Sequence, residues 1–282
     1  MKQLNRRNFL KLSGAVLAAS QAPSVIAAGK PAGSGLNSNI PFQLGMASYT
    51  FREFSLEETV TMTSRLGIGK LALKSMHMPL DASSDEIRQR ASMVRDAGID
   101  LYGAGVIYMT SPDEVENAFN YARIAGMNTI IGVPEHELIA LCNRKVKETG
   151  IRMAIHNHGP GDEKYPSPES IYSRLKGMDP GLGLCIDIGH TVRIGLDPII
   201  ETEKYFDRVL DIHIKDEDKA DSSGNTVEIG RGIIDIPGYL QMLLRKKYSS
   251  VVSFEFEKDG KDPLPGLAES VGYVRGVLQV IA

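Results

Sequence analysis

The chain has 282 residues and a formal net charge of −3; its first 28 residues carry four basic and no acidic groups, so −7 remains without them. A mildly acidic chain with no basic stripe argues against nucleic acid as a partner. The remaining residues, about 250, match the usual size of one βα-barrel domain and are enough to bury a large core.

The N-terminus reads as a targeting segment. Asn5-Arg6-Arg7-Asn8-Phe9-Leu10-Lys11 is a twin-arginine export pattern, followed by a short apolar run from Leu12 to Ala19 and small residues around Ala27 and Ala28. The apolar run is too short to span a bilayer; an ordinary amphipathic helix is the alternative. No cysteine follows it, so no stable membrane anchor is expected. Residues 1–30 are therefore expected to be signal and cleavage region, 31–40 a linker, and 41–282 a catalytic domain exported to the periplasm.

From there, strand-like and helix-like stretches alternate. The expected strands are Gln43–Ser48, Lys70–Lys74, Asp100–Val106, Asn128–Gly132, Arg152–His156, Leu182–Asp187, Val209–Ile214 and Val251–Phe256. Helical patterns fall near 55–66, 83–97, 111–125, 134–148, 167–177, 197–206, 236–247 and 264–280. Ser111-Pro112-Asp113-Glu114 supplies an N-cap, a first-turn proline and acids at the positive end of the helix dipole, and Ser167-Pro168-Glu169 and Asp197-Pro198 repeat that order. Gly98, Gly126 and Gly150 stand where a helix hands over to the next strand. Eight strand-then-helix units with no hairpin signal predict a single parallel (β/α)8 TIM barrel. A doubly wound open sheet is the alternative, but no glycine-rich phosphate loop is present. Cys142 and Cys185 lie in apolar contexts on different elements, either joined as a disulfide or, the preferred reading, left as buried thiols; no C-x-x-C motif occurs.

The later strands end in groups that bind metals or move protons. The fifth ends in His156-Asn157-His158 and the sixth in Asp187-Ile188-Gly189-His190; the seventh runs Asp211-Ile212-His213-Ile214-Lys215-Asp216 and the eighth Ser253-Phe254-Glu255-Phe256-Glu257. Period-two alternation puts His156 with His158, Asp211 with His213 and Lys215, and Ser253 with Glu255 and Glu257 on inward faces. The active site of such a barrel lies at the carboxyl ends of its strands. Five of the six histidines fall near such an end, and His136 opens the helix after the fourth strand. His156, Asp187, His213 and Glu255 are the expected ligands of one divalent ion, with Zn, Mn, Fe or Co favoured over Mg by the imidazoles.

These motifs, with Gly230-Arg231-Gly232-Ile233-Ile234-Asp235 and Asp262-Pro263, resemble the sugar phosphate isomerase/epimerase superfamily, the xylose isomerase-like barrels, in an exported twin-arginine form. The resemblance covers essentially the whole chain after the signal. In the epimerase branch it implies a metal held by Glu, Asp, His and Glu on strands five to eight. Asp187, His213 and Glu255 match, while His156 stands where a glutamate is usual. Those epimerases use both glutamates as acid and base, so the departure favours a one-base reaction, with His158 or Glu257 as second proton donor.

The remaining candidates carry two readings each. Lys74 binds a hydroxyl or enolate oxygen, or is a solvated strand-end lysine. His190 reaches substrate or supports the ligands. Lys215 stabilises an oxyanion or forms a salt bridge. Arg231 contacts substrate from a mobile loop, or does not. Tyr49 and Tyr108 stack on a sugar ring or pack at the rim, and Glu135 is read as a first-turn helix residue. The expectation is a metal-dependent isomerase or epimerase acting on a sugar or sugar-like small molecule next to its carbonyl. A lyase or hydratase of 3-keto-glycosides or keto-inositols stands close behind. An endonuclease-like phosphodiesterase and a non-catalytic sugar-binding barrel are weaker readings, and the sequence does not decide whether the chain forms a homo-oligomer.

Overall fold

The computed structural model describes residues 40–282. The expected export signal and nearly all of the expected linker lie outside those residues. Eight parallel strands close into a barrel: β1 (Gln43–Ala47), β2 (Lys70–Leu73), β3 (Asp100–Met109), β4 (Thr129–Pro134), β5 (Arg152–His156), β6 (Leu182–Asp187), β7 (Val209–Ile214) and β8 (Val251–Phe254). Closure pairs β1 with β8, from Gln43 opposite Val251 to Met46 opposite Phe254, and leaves no barrel edge unpaired.

Between and after the strands run α1 (Leu56–Arg65), α2 (Ser84–Asp96), α3 (Pro112–Ala125), α4 (Ile139–Thr149), α5 (Pro168–Tyr172), α6 (Ile188–Val192), α7 (Pro198–Lys204), α8 (Ile236–Lys246) and α9 (Leu264–Ile281). Their starts follow local chemistry. Ser55 and Glu58 form a capping box, and Ser111, Ser167 and Asp197 cap helices whose first turn holds a proline. One face of each strand feeds a buried apolar layer under these helices, including Met46, Leu71, Ile130, Met153, Ile186, Ile212 and Val252. The other face is more polar. Tyr102 Oη lies 2.7 Å from Ser253 Oγ, a contact between β3 and β8 that crosses the barrel interior.

Several bounds differ from expectation. β3 runs on to Met109, and β8 stops at Phe254 because the Phe256 N–H turns to Thr50 Oγ1 at 2.9 Å. The helix expected over 167–177 ends at Tyr172, short of Gly177 in the left-handed region (φ 76°). The five-residue α6 was not expected, being too short to show a period, and neither was the antiparallel ribbon of Asp216–Glu217 with Thr226–Val227. Cys142 and Cys185 are buried free thiols, not a disulfide. Among the described residues no helix is long and apolar enough to cross a membrane.

The loop after the ribbon is organised by one carboxylate. Asp216 Oδ2 accepts N–H bonds from Gly230 and Gly232 at 2.9 and 3.0 Å, and Oδ1 accepts from Ile234 and Glu217 at 3.1 and 3.0 Å. Gly230 has φ 93°, and a Cβ at Gly232 would overlap the Asp216 carboxylate, so both glycines of this motif are required by the backbone. Asp216→Ala takes the acceptor from four N–H groups, of which those of Glu217 and Ile234 are buried; we expect a loss of about 3 kcal/mol in urea unfolding.

Candidate metal centre and active site

The expected ligands converge where β5 to β8 end. His156 Nε2 lies 3.1 Å from His213 Nδ1 and 3.5 Å from Asp187 Oδ2, and His213 Nδ1 lies 3.1 Å from Glu255 Oε2. Donor atoms of all four residues fall within 4.8 Å of one another, and all four are buried. Ligands bound at 2.0–2.2 Å to one divalent ion stand roughly 3.0–3.5 Å apart, so the donor set fits such an ion. Asp187 supplies a further sign of fit: among the described residues its buried Oδ2 has the Lys215 ammonium at 2.9 Å but no well-formed hydrogen bond, while its Oδ1 accepts the His190 N–H at 2.8 Å and caps α6. Cys185, one layer below, groups with His156 and His213 in a second nitrogen–sulfur set.

Burial and charge set the protonation states. Burial pushes the His156 imidazole down to about 4, so it is neutral near pH 7 with a lone pair for a cation. Burial likewise takes His190 down to about 4. At Asp187 burial opposes ionisation, but the charges of His190 and Lys215 and the His156 contact outweigh it, holding the carboxyl well below its usual range. Glu255 is held down in the same way, His213 and Lys215 overcoming its burial. For His213, burial is outweighed by Cys185 and Glu255, and the ring is raised.

Lys215 carries the ion-pair reading of the two expected for it. Its side chain is 0% exposed, with Nζ 2.8 Å from Glu255 Oε2, 2.9 Å from Asp187 Oδ2 and 3.3 Å from Glu257 Oε1. Glu257 is thereby tied to the same cluster. His190 Nε2 lies 3.8 Å from Asp187 Oδ2, at the rim of the donor set.

A second group adjoins the ligands. Tyr108 Oη and His158 Nε2 are 3.0 Å apart; His158 Nδ1 faces His156 Nδ1 at 3.4 Å and Asp162 Oδ2 at 3.7 Å. Lys74 donates to the Val106 carbonyl at 2.7 Å, with Nζ 5.8 and 5.5 Å from the ring centres of Tyr49 and Tyr108. Burial lowers the Lys74 ammonium, and the Glu255 carboxylate partly restores it. Lys74 is thus no freely solvated lysine.

Other candidates are placed elsewhere. Arg231 lies apart from the donor set: the N–H groups of its glycine neighbours turn to Asp216, and its 61% exposed side chain pairs with Glu269 at 2.5 and 2.7 Å. Glu135 pairs with Lys164 and precedes a 3-10 turn, as its helix-start reading requires. His77 is structural, its ring nitrogens lying 2.9 to 3.2 Å from Ser48, Thr59, Phe51 and Phe54. Sequence reasoning missed Asn157, which alternation turns away from its neighbouring histidines. Its Oδ1 accepts the Asp187 N–H at 3.0 Å and its Nδ2 donates to Thr191 Oγ1 at 3.2 Å, fixing the ligand backbone. A polar residue between two inward histidines must itself be satisfied, and that was the available signal.

A family model described as "Xylose isomerase-like TIM barrel" matches residues 136–277. An inosose dehydratase of Clostridium tetani (strain Massachusetts / E88) is 29% identical over 130 residues, covering 40% of this chain and 43% of that protein. The chain thus matches less than half the length of that relative. Among solved structures, an uncharacterized protein from Parabacteroides distasonis ATCC 8503 is 26% identical with a TM-score of 0.67, over 84% of this chain and 99% of that one. An L-ribulose 3-epimerase has a TM-score of 0.70 at 15% identity, over 85% of this chain and 95% of its own, a likeness of fold alone.

Glu217 offers a test of how dry the mouth is. Its Oε1 accepts from Thr226 at 3.0 Å, its Oε2 has no hydrogen-bond partner among the described residues, and burial pushes its carboxyl up to about 7. The unfolded carboxyl titrates near ~4.3. The folded state therefore holds the proton longer, and this group's contribution is lost as pH rises through about 7. Metal-free Glu217→Gln should gain about 2 kcal/mol on wild type between pH 5 and pH 8 in urea unfolding.

Proposed function

The chain belongs to the xylose isomerase-like TIM barrel family, and on that premise we propose that it is a metal-dependent isomerase or epimerase acting next to the carbonyl of a sugar or sugar-like polyol. The observation that carries this reading is the buried donor set of His156, Asp187, His213 and Glu255. A divalent ion bound there would polarise a carbonyl and acidify the adjacent C–H. Zn, Mn, Fe or Co suits two imidazoles and two carboxylates better than Mg.

In this reading Glu255 takes the proton next to the carbonyl. It is ionised, and Lys215 keeps Glu257 as a partner when Glu255 becomes neutral. The proton returns to the substrate enediolate from the pair His158 and Tyr108, joined at 3.0 Å. Lys74 and His190 bind substrate oxygens. Return at the adjacent carbon gives isomerisation, and return at the same carbon from the opposite face gives epimerisation.

A second reading is a dehydratase or hydratase, in which loss of a β-leaving group follows the same abstraction. It is favoured by His156, which leaves one glutamate among the ligands, and by the partial match to an inosose dehydratase. The twin-arginine pattern at Asn5–Lys11 supports export to the periplasm, where an unphosphorylated substrate is the better match.

Elemental analysis of the purified protein should find a divalent transition metal in stoichiometric amount, lost in His213→Ala. No metal in wild type, even after incubation with zinc and manganese, would sink the proposal. With L-ribulose and an inosose as probes in heavy water, wild type should exchange the proton next to the carbonyl. Glu255→Gln should cut that exchange by roughly 10²–10⁴-fold; undiminished exchange would remove Glu255 from the base role.

A further inference from the structure

The sixth and seventh strand motifs are built for each other through Gly189 and Lys215. A Cβ at position 189 would overlap Lys215 Cγ and Cδ, so the glycine in Asp187-Ile188-Gly189-His190 leaves the channel through which the lysine stem passes. The reason is steric, since Gly189 is not among the glycines with positive φ. Through that channel Nζ reaches Asp187 Oδ2 at 2.9 Å and Glu255 Oε2 at 2.8 Å. Those are the same two oxygens that face the imidazoles of His156 and His213. Its remaining partner is Glu257 Oε1 at 3.3 Å.

We infer that Lys215 is a tethered counter-cation of the metal centre: it holds the two carboxylate ligands together in the ion-free protein and competes with the incoming ion for the same oxygens, setting its affinity. The inference rests on the metal reading of the site. Two buried carboxylates facing one another repel unless a cation lies between them. With the ammonium in place the ion-free site is stable and already shaped. The ammonium then also repels the divalent cation at close range in a poorly screened site. Glu257, the third carboxylate in reach, gives Nζ a place to shift when the ion takes Asp187 and Glu255. Lys215 is in this sense a positioning residue for the ion.

The test compares chelator-stripped wild type, Lys215→Met and Gly189→Ala by calorimetric titration with Mn2+ and by thermal melting with and without Mn2+. Lys215→Met should bind Mn2+ tighter, by roughly tenfold or more. Its ion-free form should melt lower than wild type, so that its Mn2+-induced rise in Tm is larger. Gly189→Ala, which pushes the stem aside but keeps the charge, should shift affinity in the same direction by less, and it carries the test alone if Lys215→Met does not fold. Equal or weaker Mn2+ binding in the variants, with wild type binding normally, would overturn the inference and leave the metal reading intact. No binding of Mn2+ or Zn2+ by wild type would overturn both.

Discussion

The mouth of this barrel must keep two carboxylates and an ammonium out of water in one small volume, with a third, half-buried carboxylate, Glu257, at its edge. Transfer of any one of them alone from water would cost several kcal/mol, about the whole stability of a typical domain. Together they are tolerable because each is paired: Lys215 with Asp187, Glu255 and Glu257, and Glu255 also with His213. Much of the surrounding structure follows from that pairing. Strand register places Asp187 opposite His213 and His213 opposite Ser253, so that the chain reaches Glu255 one step beyond the β8 ladder. Gly189 lacks a side chain so that the lysine stem fits, and Asn157 pins the backbone of Asp187. A removal of one partner leaves a buried charge uncompensated, which is why such a cluster tolerates little variation of its members.

The barrel and the grouping of His156, Asp187, His213 and Glu255 were legible in the sequence, because both are written in period two. Alternation along β5 to β8, together with the rule that barrel sites lie at strand carboxyl ends, is enough to bring His156, Asp187, His213 and Glu255 together. What stayed hidden depends on contacts that no period encodes. Arg231 sits between glycines in a way that suits a substrate loop, yet those glycines serve the Asp216 carboxylate and turn the guanidinium out to Glu269. His77 follows a strand end as the site histidines do, but it closes a polar turn instead. Whether Lys215 meets a substrate oxyanion or a carboxylate turns on Gly189, whose absent Cβ lies one strand away.

The site has two chemically unlike sides, and the difference constrains any reaction it performs. On one side stand Glu255 and Glu257, acids bound to a common lysine. On the other stand Lys74, Tyr108 and His158, each responsive to the Glu255 charge and therefore within electrostatic reach of it. The proposed reaction has no symmetrical exchange between two carboxylates, one per face, because His156 stands where the resemblance implies a glutamate and that imidazole is neutral near pH 7. In the proposed reaction, proton removal would then fall to the acidic side and return to the imidazole–phenol pair.

That pair is suited to the task for a physical reason. Tyr108 is half exposed and burial, with nearby carboxylates, keeps its phenol protonated; His158 lies at its oxygen and has Asp162 behind it. A proton leaving the phenol can be replaced through the imidazole without any group becoming an isolated buried charge. In the proposed reaction Lys74, partly desolvated beside the Tyr108 ring, would steady negative charge on a substrate oxygen while the proton is in transit. An arrangement with one ionised base and a neutral relay opposite serves isomerisation and β-elimination equally well up to the enediolate. The outcome then rests on whether the substrate carries a leaving group next to the reacting carbon, a property of the substrate and not of the barrel.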